Sequence, residues 1–264
     1  MNGMFDAIGN LIDVRHLQGV RVFVVGVGRV GYALVRLAVH HGVTQICLIE
    51  PDVVSARNFA SGFPEEAIGV SKAAYVESDL KRRRKDLAIG VASLTLTLED
   101  LSYFSECLAW CTHVAFFMDS FEVVTELVRL AYPVRPCLYA GLLDRGQVGE
   151  AAWSIPGQTP CLNCTARFFE KQGVGGGEAL LVDVSATVNV AFRQFLGLCL
   201  IDRRGFDLFQ PFVNPRFCLA YVINGPGGFI GMPSPETPCG VRLVEVVDEH
   251  GMGPSCPMCG GYRP

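Results

Sequence analysis

The chain has 264 residues, with 22 Lys plus Arg against 26 Asp plus Glu and a net charge of −4. Half of it is hydrophobic, 18% is charged and mean hydropathy is +0.33, which excludes a disordered chain and describes a heavily buried protein with α/β character. No basic field favours nucleic acid, the longest apolar stretches carry Arg29 and Arg36 or Arg193, and no leader is visible, so a cytoplasmic enzyme is expected.

Residues 20–25, VRVFVV, predict a buried parallel strand ending at glycine. Gly26-Val-Gly28-Arg29-Val-Gly31 follows, then a helical pattern with Val30, Ala33, Leu34, Leu37 and Ala38 on one face, closed by Gly42. QICLI at 45–49 predicts the next strand, completing a right-handed βαβ unit. A helix is expected over 71–87, with its KRRRK run as a solvated face, then an alternating strand over 91–98. A helix near 100–110 leads into an apolar strand over 113–118 that stops at Asp119, and another helix ends before Pro133. Residues 137–142 and 147–153 read as neighbouring strands, 184–201 as a long buried helix, and 241–247 as a final strand. The Gly- and Pro-rich stretch 223–240 reads as loop.

A G-x-G-x-x-G between strand and helix binds phosphate, because glycine allows close backbone approach and the helix N-terminus presents unpaired N–H groups. Glu50, nineteen residues past Gly31 at the end of the second strand, is placed to accept from ribose hydroxyls. NAD and ATP both fit this fingerprint, and no G-x-x-x-x-G-K-[ST] is present. Of the eleven cysteines, four form the pairs Cys161-Leu-Asn-Cys164 and Cys256-Pro-Met-Cys259. Two such pairs predict tetrahedral sulfur ligation of structural zinc, tying the chain's end back to its middle. The other cysteines read as small buried hydrophobes. The absence of G-x-S-x-G and H-E-x-x-H removes common hydrolase classes.

The order of glycine turn, IEPDVVSARNF, IGVSK, a strand ending in Asp119, then CLNC and CPMC resembles the ThiF/MoeB/HesA family, from about residue 18 to the end. These adenylyltransferases include the ubiquitin-activating enzymes. The resemblance implies a Rossmann-like, mostly parallel α/β sheet with helices on both faces and a zinc-stapled C-terminal half. It implies a single domain over 1–264, with a nucleotide-binding half near 18–155 and a zinc and partner-binding half near 156–264. Gly26, Gly28, Arg29 and Gly31 fall on the family's phosphate turn, Glu50 on its ribose-binding acid, and Asp52 and Asn58 on the D-x-V-x-x-x-N stretch. Lys72 falls on its phosphate-contacting lysine and Asp119 on its catalytic, magnesium-associated aspartate. The implied cofactors are ATP, Mg²⁺ and structural Zn²⁺. The implied reaction is adenylation of a carboxylate, that of a ubiquitin-like or sulfur-carrier protein or a small acid, by a homodimer.

Three departures bear on this. Arg29 replaces the second glycine of the family's usual glycine pair, and Ser61 stands where an arginine often follows Asn58, with Arg57 nearby. The crossover after the first cysteine pair holds no cysteine, so a direct hand-over without a thioester is expected; Cys239 is read as structural. The alternatives are a non-catalytic ThiF-like binding subunit, favoured by Arg29 and Ser61, and an NAD-dependent oxidoreductase, favoured by the bare fingerprint.

Overall fold

Strand β1 (Arg21–Val25) is buried on both faces from residue 22 onward, as a parallel strand covered by helices on each side must be. In this computed structural model the described residues are 5–93, 101–118, 121–143, 148–165, 181–215, 218–223, 240–244, and Cys256 and Cys259. The strands that follow are β2 (Gln45–Ile49), β3 (Ala88–Ala92), β4 (His113–Phe116), β5 (Cys137–Leu143), β6 (Val148–Ser154), β7 (Leu219–Ile223) and β8 (Gly240–Val244). They join in one eight-stranded sheet of order β3-β2-β1-β4-β5-β6-β7-β8. The first five strands pair in parallel; the last three are added antiparallel.

Two short helices, α1 (Asp6–Gly9) and α2 (Val14–Gly19), precede β1. The longer helices are α3 (Arg29–His40), α4 (Lys72–Arg83), α5 (Leu101–Trp110), α6 (Phe121–Ala131) and α7 (Leu181–Cys199). Alternate β1 residues divide between two cores. Val22 and Val24 pack with Leu34 of α3, Leu80 of α4 and Phe195 of α7. Phe23 and Val25 pack with Phe104 of α5 and Val128 of α6. Helices therefore cover both faces, as the family resemblance implied. None of the described helices is long and apolar enough to cross a membrane.

The sequence reading and the structure part in three places. Strand β3 begins at Ala88, ahead of the expected alternating run over 91–98, of which residues 94–98 lie outside those described. Strand β7 was not anticipated: its short apolar run stands alone, without the strand–turn–helix context that marks β1 and β2. The KRRRK run is only partly a solvated face. Lys81 pairs with Glu77 and Arg83 with Asp79, but Arg84 is 3% exposed, bound to Asp86 and the Val39 carbonyl with its guanidinium over Phe5. The chain turns inward there, so the last helical charges help close the core.

Candidate nucleotide site and cysteine cluster

The strand order reverses beside β1, where β2 and β4 flank it on opposite sides. Open α/β sheets leave a crevice at such a point, outside the carboxyl ends of the strands. A cavity of about 460 Å³ lies there, lined by the glycine turn, the ends of β2, β4 and β5, and the segment after β2.

The three glycines do different jobs. Gly26 has φ +90°, and a Cβ on it would stand 3.0 Å from the backbone of Phe117. A Cβ on Gly31 would overlap the Gly26 carbonyl and come 2.9 Å from the Phe117 ring. A Cβ on Gly28 meets nothing within 4 Å. Gly28 is the N-cap of α3 and supplies no capping side chain, so the first-turn N–H groups of that helix face the cavity without a side-chain cap. Gly31→Ala is therefore expected to cost about 2–3 kcal/mol by overpacking. Gly28→Ala should stay within about 1 kcal/mol of the parent. Urea denaturation of the two variants checks the contrast.

Glu50 closes the turn from below. Its Oε2 accepts from the Val27 N–H at 2.7 Å and its Oε1 from the Asp52 N–H at 3.1 Å, with the residue 5% exposed. The Lys72 ammonium lies 3.9 Å from Glu50 Oε1 and donates to Asp52 Oδ2 at 2.8 Å. Lys72 is itself 7% exposed, held at the start of α4 by its own N–H bond to the Asp52 carbonyl. A buried cation between two carboxylates is thus fixed at the cavity wall.

A 3₁₀ turn, Ala56–Ser61, brings Arg57 and Asn58 to the same wall. Asn58 Oδ1 accepts from the Ser55 N–H at 2.8 Å and its hydroxyl at 3.0 Å, which leaves the Asn58 amide N–H₂ for a ligand. Gly26, Gly28, Arg29, Glu50, Asp52, Asn58 and Lys72 all line one cavity; Gly31 shapes it from behind. Asp119 lies outside the described residues, although its neighbour Met118 lines the wall. Cys239 lies outside them too. Sequence reasoning missed Phe117, Met118 and Gly141, whose only signal was their place at the ends of two parallel strands. Opposite Gly141 in the β5–β6 pair stands Glu150, 1% exposed; burial pushes its carboxyl up to about 8, beside the Tyr139 hydroxyl.

A larger cavity of about 550 Å³ between α3 and α7 has an apolar floor of Leu37, Phe192 and Leu196. None of the glycine turn, Glu50 or Lys72 reaches it.

The two cysteine pairs meet although Cys161 and Cys256 are 95 positions apart. Sulfur–sulfur distances are 3.5 Å for Cys161–Cys164, 3.8 Å for Cys161–Cys256 and 3.5 Å for Cys164–Cys259. All four sulfurs lie within 4.8 Å of one another, the one group among the described residues that could hold a metal ion. A tetrahedral site with metal–sulfur bonds near 2.3 Å requires sulfurs roughly 3.8 Å apart, so the cluster fits a single ion.

The ThiF family model matches residues 4–262. Escherichia coli MccB solved with AMPCPP and MccA superposes with a TM-score of 0.70, covering 98% of this chain and 74% of that one at 14% identity. The same protein solved with ATP gives 0.67, with 94% and 69% covered at 15% identity. No curated protein matches. At such identities the likeness to the solved structures is one of fold.

Proposed function

Because the chain belongs to the ThiF family, we propose that it is an adenylyltransferase that uses ATP to activate a carboxylate, giving an acyl-adenylate and pyrophosphate. The observation that carries this reading is the convergence of an uncapped helix N-terminus, the buried Glu50 and the buried Lys72 on one cavity at the sheet's reversal point. The solved complexes of the similar MccB with ATP and with MccA support a nucleotide and a small partner in this fold.

In this reading Gly26, Gly28 and Gly31 admit the phosphates to the start of α3, and Glu50 holds the ribose through lone pairs its backbone donors leave open. Arg29, the Asn58 amide and Lys72 meet the phosphate oxygens. A carboxylate oxygen attacks the α-phosphorus, the bond to the bridging oxygen breaks, and that oxygen leaves with pyrophosphate. Negative charge grows on the α-phosphate oxygens, where a preformed, dehydrated ammonium at Lys72 is most effective. Asp119 would supply hard oxygen donors of the kind that suit Mg²⁺, and the ion when bound would offset phosphate charge. The four cysteines hold zinc in a structural role.

The substrate we propose is the C-terminus of a ubiquitin-like or sulfur-carrier protein, with a small carboxylic acid as the simpler case. No thioester forms on the crossover, since that segment has no cysteine. The chain works as one domain, as a cytoplasmic homodimer.

Calorimetric titration with Mg·ATP and, separately, NAD⁺ tests the nucleotide. ATP binding without NAD⁺ binding is expected; NAD⁺ alone points to an oxidoreductase, and neither to a binding subunit. Asp119→Ala is then expected to abolish carboxylate-dependent pyrophosphate exchange with circular dichroism unchanged. Retained exchange removes Asp119 from the mechanism.

A further inference from the structure

Cys47 and Cys107 belong to neither cysteine pair, and the adenylation reading does not use them. Their sulfurs nevertheless lie 3.6 Å apart, Cys47 on β2 and Cys107 on α5. The Tyr103 side chain, one turn earlier on α5, lies near both sulfurs. We propose that these two residues are a site of reversible oxidation, in which a hydroperoxide converts the thiol pair to an intramolecular disulfide linking β2 to α5.

The surroundings divide the labour between the sulfurs. In the sheet Cys47 stands between Phe23 of β1 and Gly90 of β3. Phe23 is fully buried with its ring 5.3 Å from that of Phe104, which seals the inner side. Gly90 is exposed and has open space where a side chain would project, so the outer side admits a small molecule. Cys47 is accordingly half-buried, whereas Cys107 behind it is 6% exposed. The hydrogen bond from Cys107 holds the Cys47 thiol down to about 7 against the effect of burial, so a thiolate is available at neutral pH.

The chemistry balances with the peroxide as oxidant. The Cys47 thiolate attacks one peroxide oxygen; an S–O bond forms, the O–O bond breaks, and for hydrogen peroxide the departing hydroxide is protonated to water. The Cys107 thiol then loses its proton and attacks the sulfenic sulfur; an S–S bond forms and the S–O bond breaks, releasing a second water. Two thiols are oxidised and one peroxide is reduced to two waters. The sulfurs must approach by about 1.5 Å to reach bonding distance, within reach of side-chain rotation. Cys47 lies three positions before Glu50 on β2, so the bridge fixes the strand that carries the ribose acid to α5.

The test uses the full, metal-loaded chain treated with one equivalent of hydrogen peroxide, alkylated and mapped by mass spectrometry. A Cys47–Cys107 linked pair is expected, lighter by two hydrogens and reversed by dithiothreitol, with a melting temperature higher by about 5 °C. Cys107→Ser should leave a Cys47 sulfenic acid captured by dimedone, while Cys47→Ser leaves Cys107 unreacted. Gly90→Val, which puts a side chain into the open space found at that position, should slow the reaction roughly tenfold. A Cys47 sulfinic acid in the parent with Cys107 untouched overturns the proposal, as does prior oxidation of Cys161 or Cys256. An unchanged rate in Gly90→Val overturns the assigned route.

Discussion

Lys72→Met is expected to lower carboxylate-dependent pyrophosphate exchange by about a hundredfold or more and to destabilise the fold by about 3 kcal/mol. Both effects have one origin. Lys72 is 7% exposed, 3.9 Å from Glu50 and 2.8 Å from Asp52. Removing the ammonium strips a buried Glu50 carboxylate of its cation, although the Val27 and Asp52 N–H groups still hold it. Asp52 loses little, because its side chain is 64% exposed and solvated. The two effects separate in the double variant Lys72→Met with Glu50→Gln. Taking away both buried charges should return part of the stability, by a coupling energy of about 1 kcal/mol, since a glutamine there can accept from only one of the Val27 and Asp52 N–H groups. It should leave exchange as low as in the single variant, because the phosphate-facing charge is still missing. Denaturant midpoints and isotope exchange on the parent, both single variants and the double variant decide it. Full exchange in Lys72→Met would confine this lysine to holding the fold.

The parallel half of the fold was legible because its signals are local. An apolar run, a glycine turn and a helical stripe fall within about thirty residues, and the structure builds β1, α3 and β2 where they predict. Glu50 was legible for the same reason, standing at a fixed distance from the turn. Its buried contacts with Val27 and Lys72 were not, since they join segments 22 or 23 positions apart through the sheet's register. The antiparallel half read less well. Strand β6 is buried at all seven positions, including Glu150, so alternation gives no clue to its faces. The four cysteines were legible from spacing, whereas the Cys47–Cys107 pair was not: its members are sixty positions apart and resemble ordinary core residues. Arg84 shows the opposite failure, a basic run whose last member is buried, which only the turn after α4 explains.

Removing the metal is expected to lower the melting temperature by more than about 10 °C, because structural zinc contributes on the order of 10 kcal/mol in small sites. The chain would give such an ion a long lever. Cys161 and Cys164 are 0% and 5% exposed and sit in the core that β1 shares with α5 and α6. Cys256 and Cys259 reach the same core from 95 positions further along the chain, with only part of their surface covered. With their own surface only partly covered, these two residues would depend mostly on the ion for their attachment. Two variants separate ligation from packing. Cys259→Ser removes a ligand at the periphery and should release the C-terminal segment to protease while the nucleotide cavity survives. Cys161→Ser also buries a hydroxyl at a fully enclosed position and should cost about 1–3 kcal/mol more. Elemental analysis of the parent should find one zinc per chain, displaced by a strong chelator together with the loss of melting temperature. A parent with no zinc, four alkylatable thiols and an unchanged melting curve under chelator would leave two independent thiol pairs. The attachment of the C-terminal segment would then rest on packing, and Cys259→Ser should be silent in the protease assay.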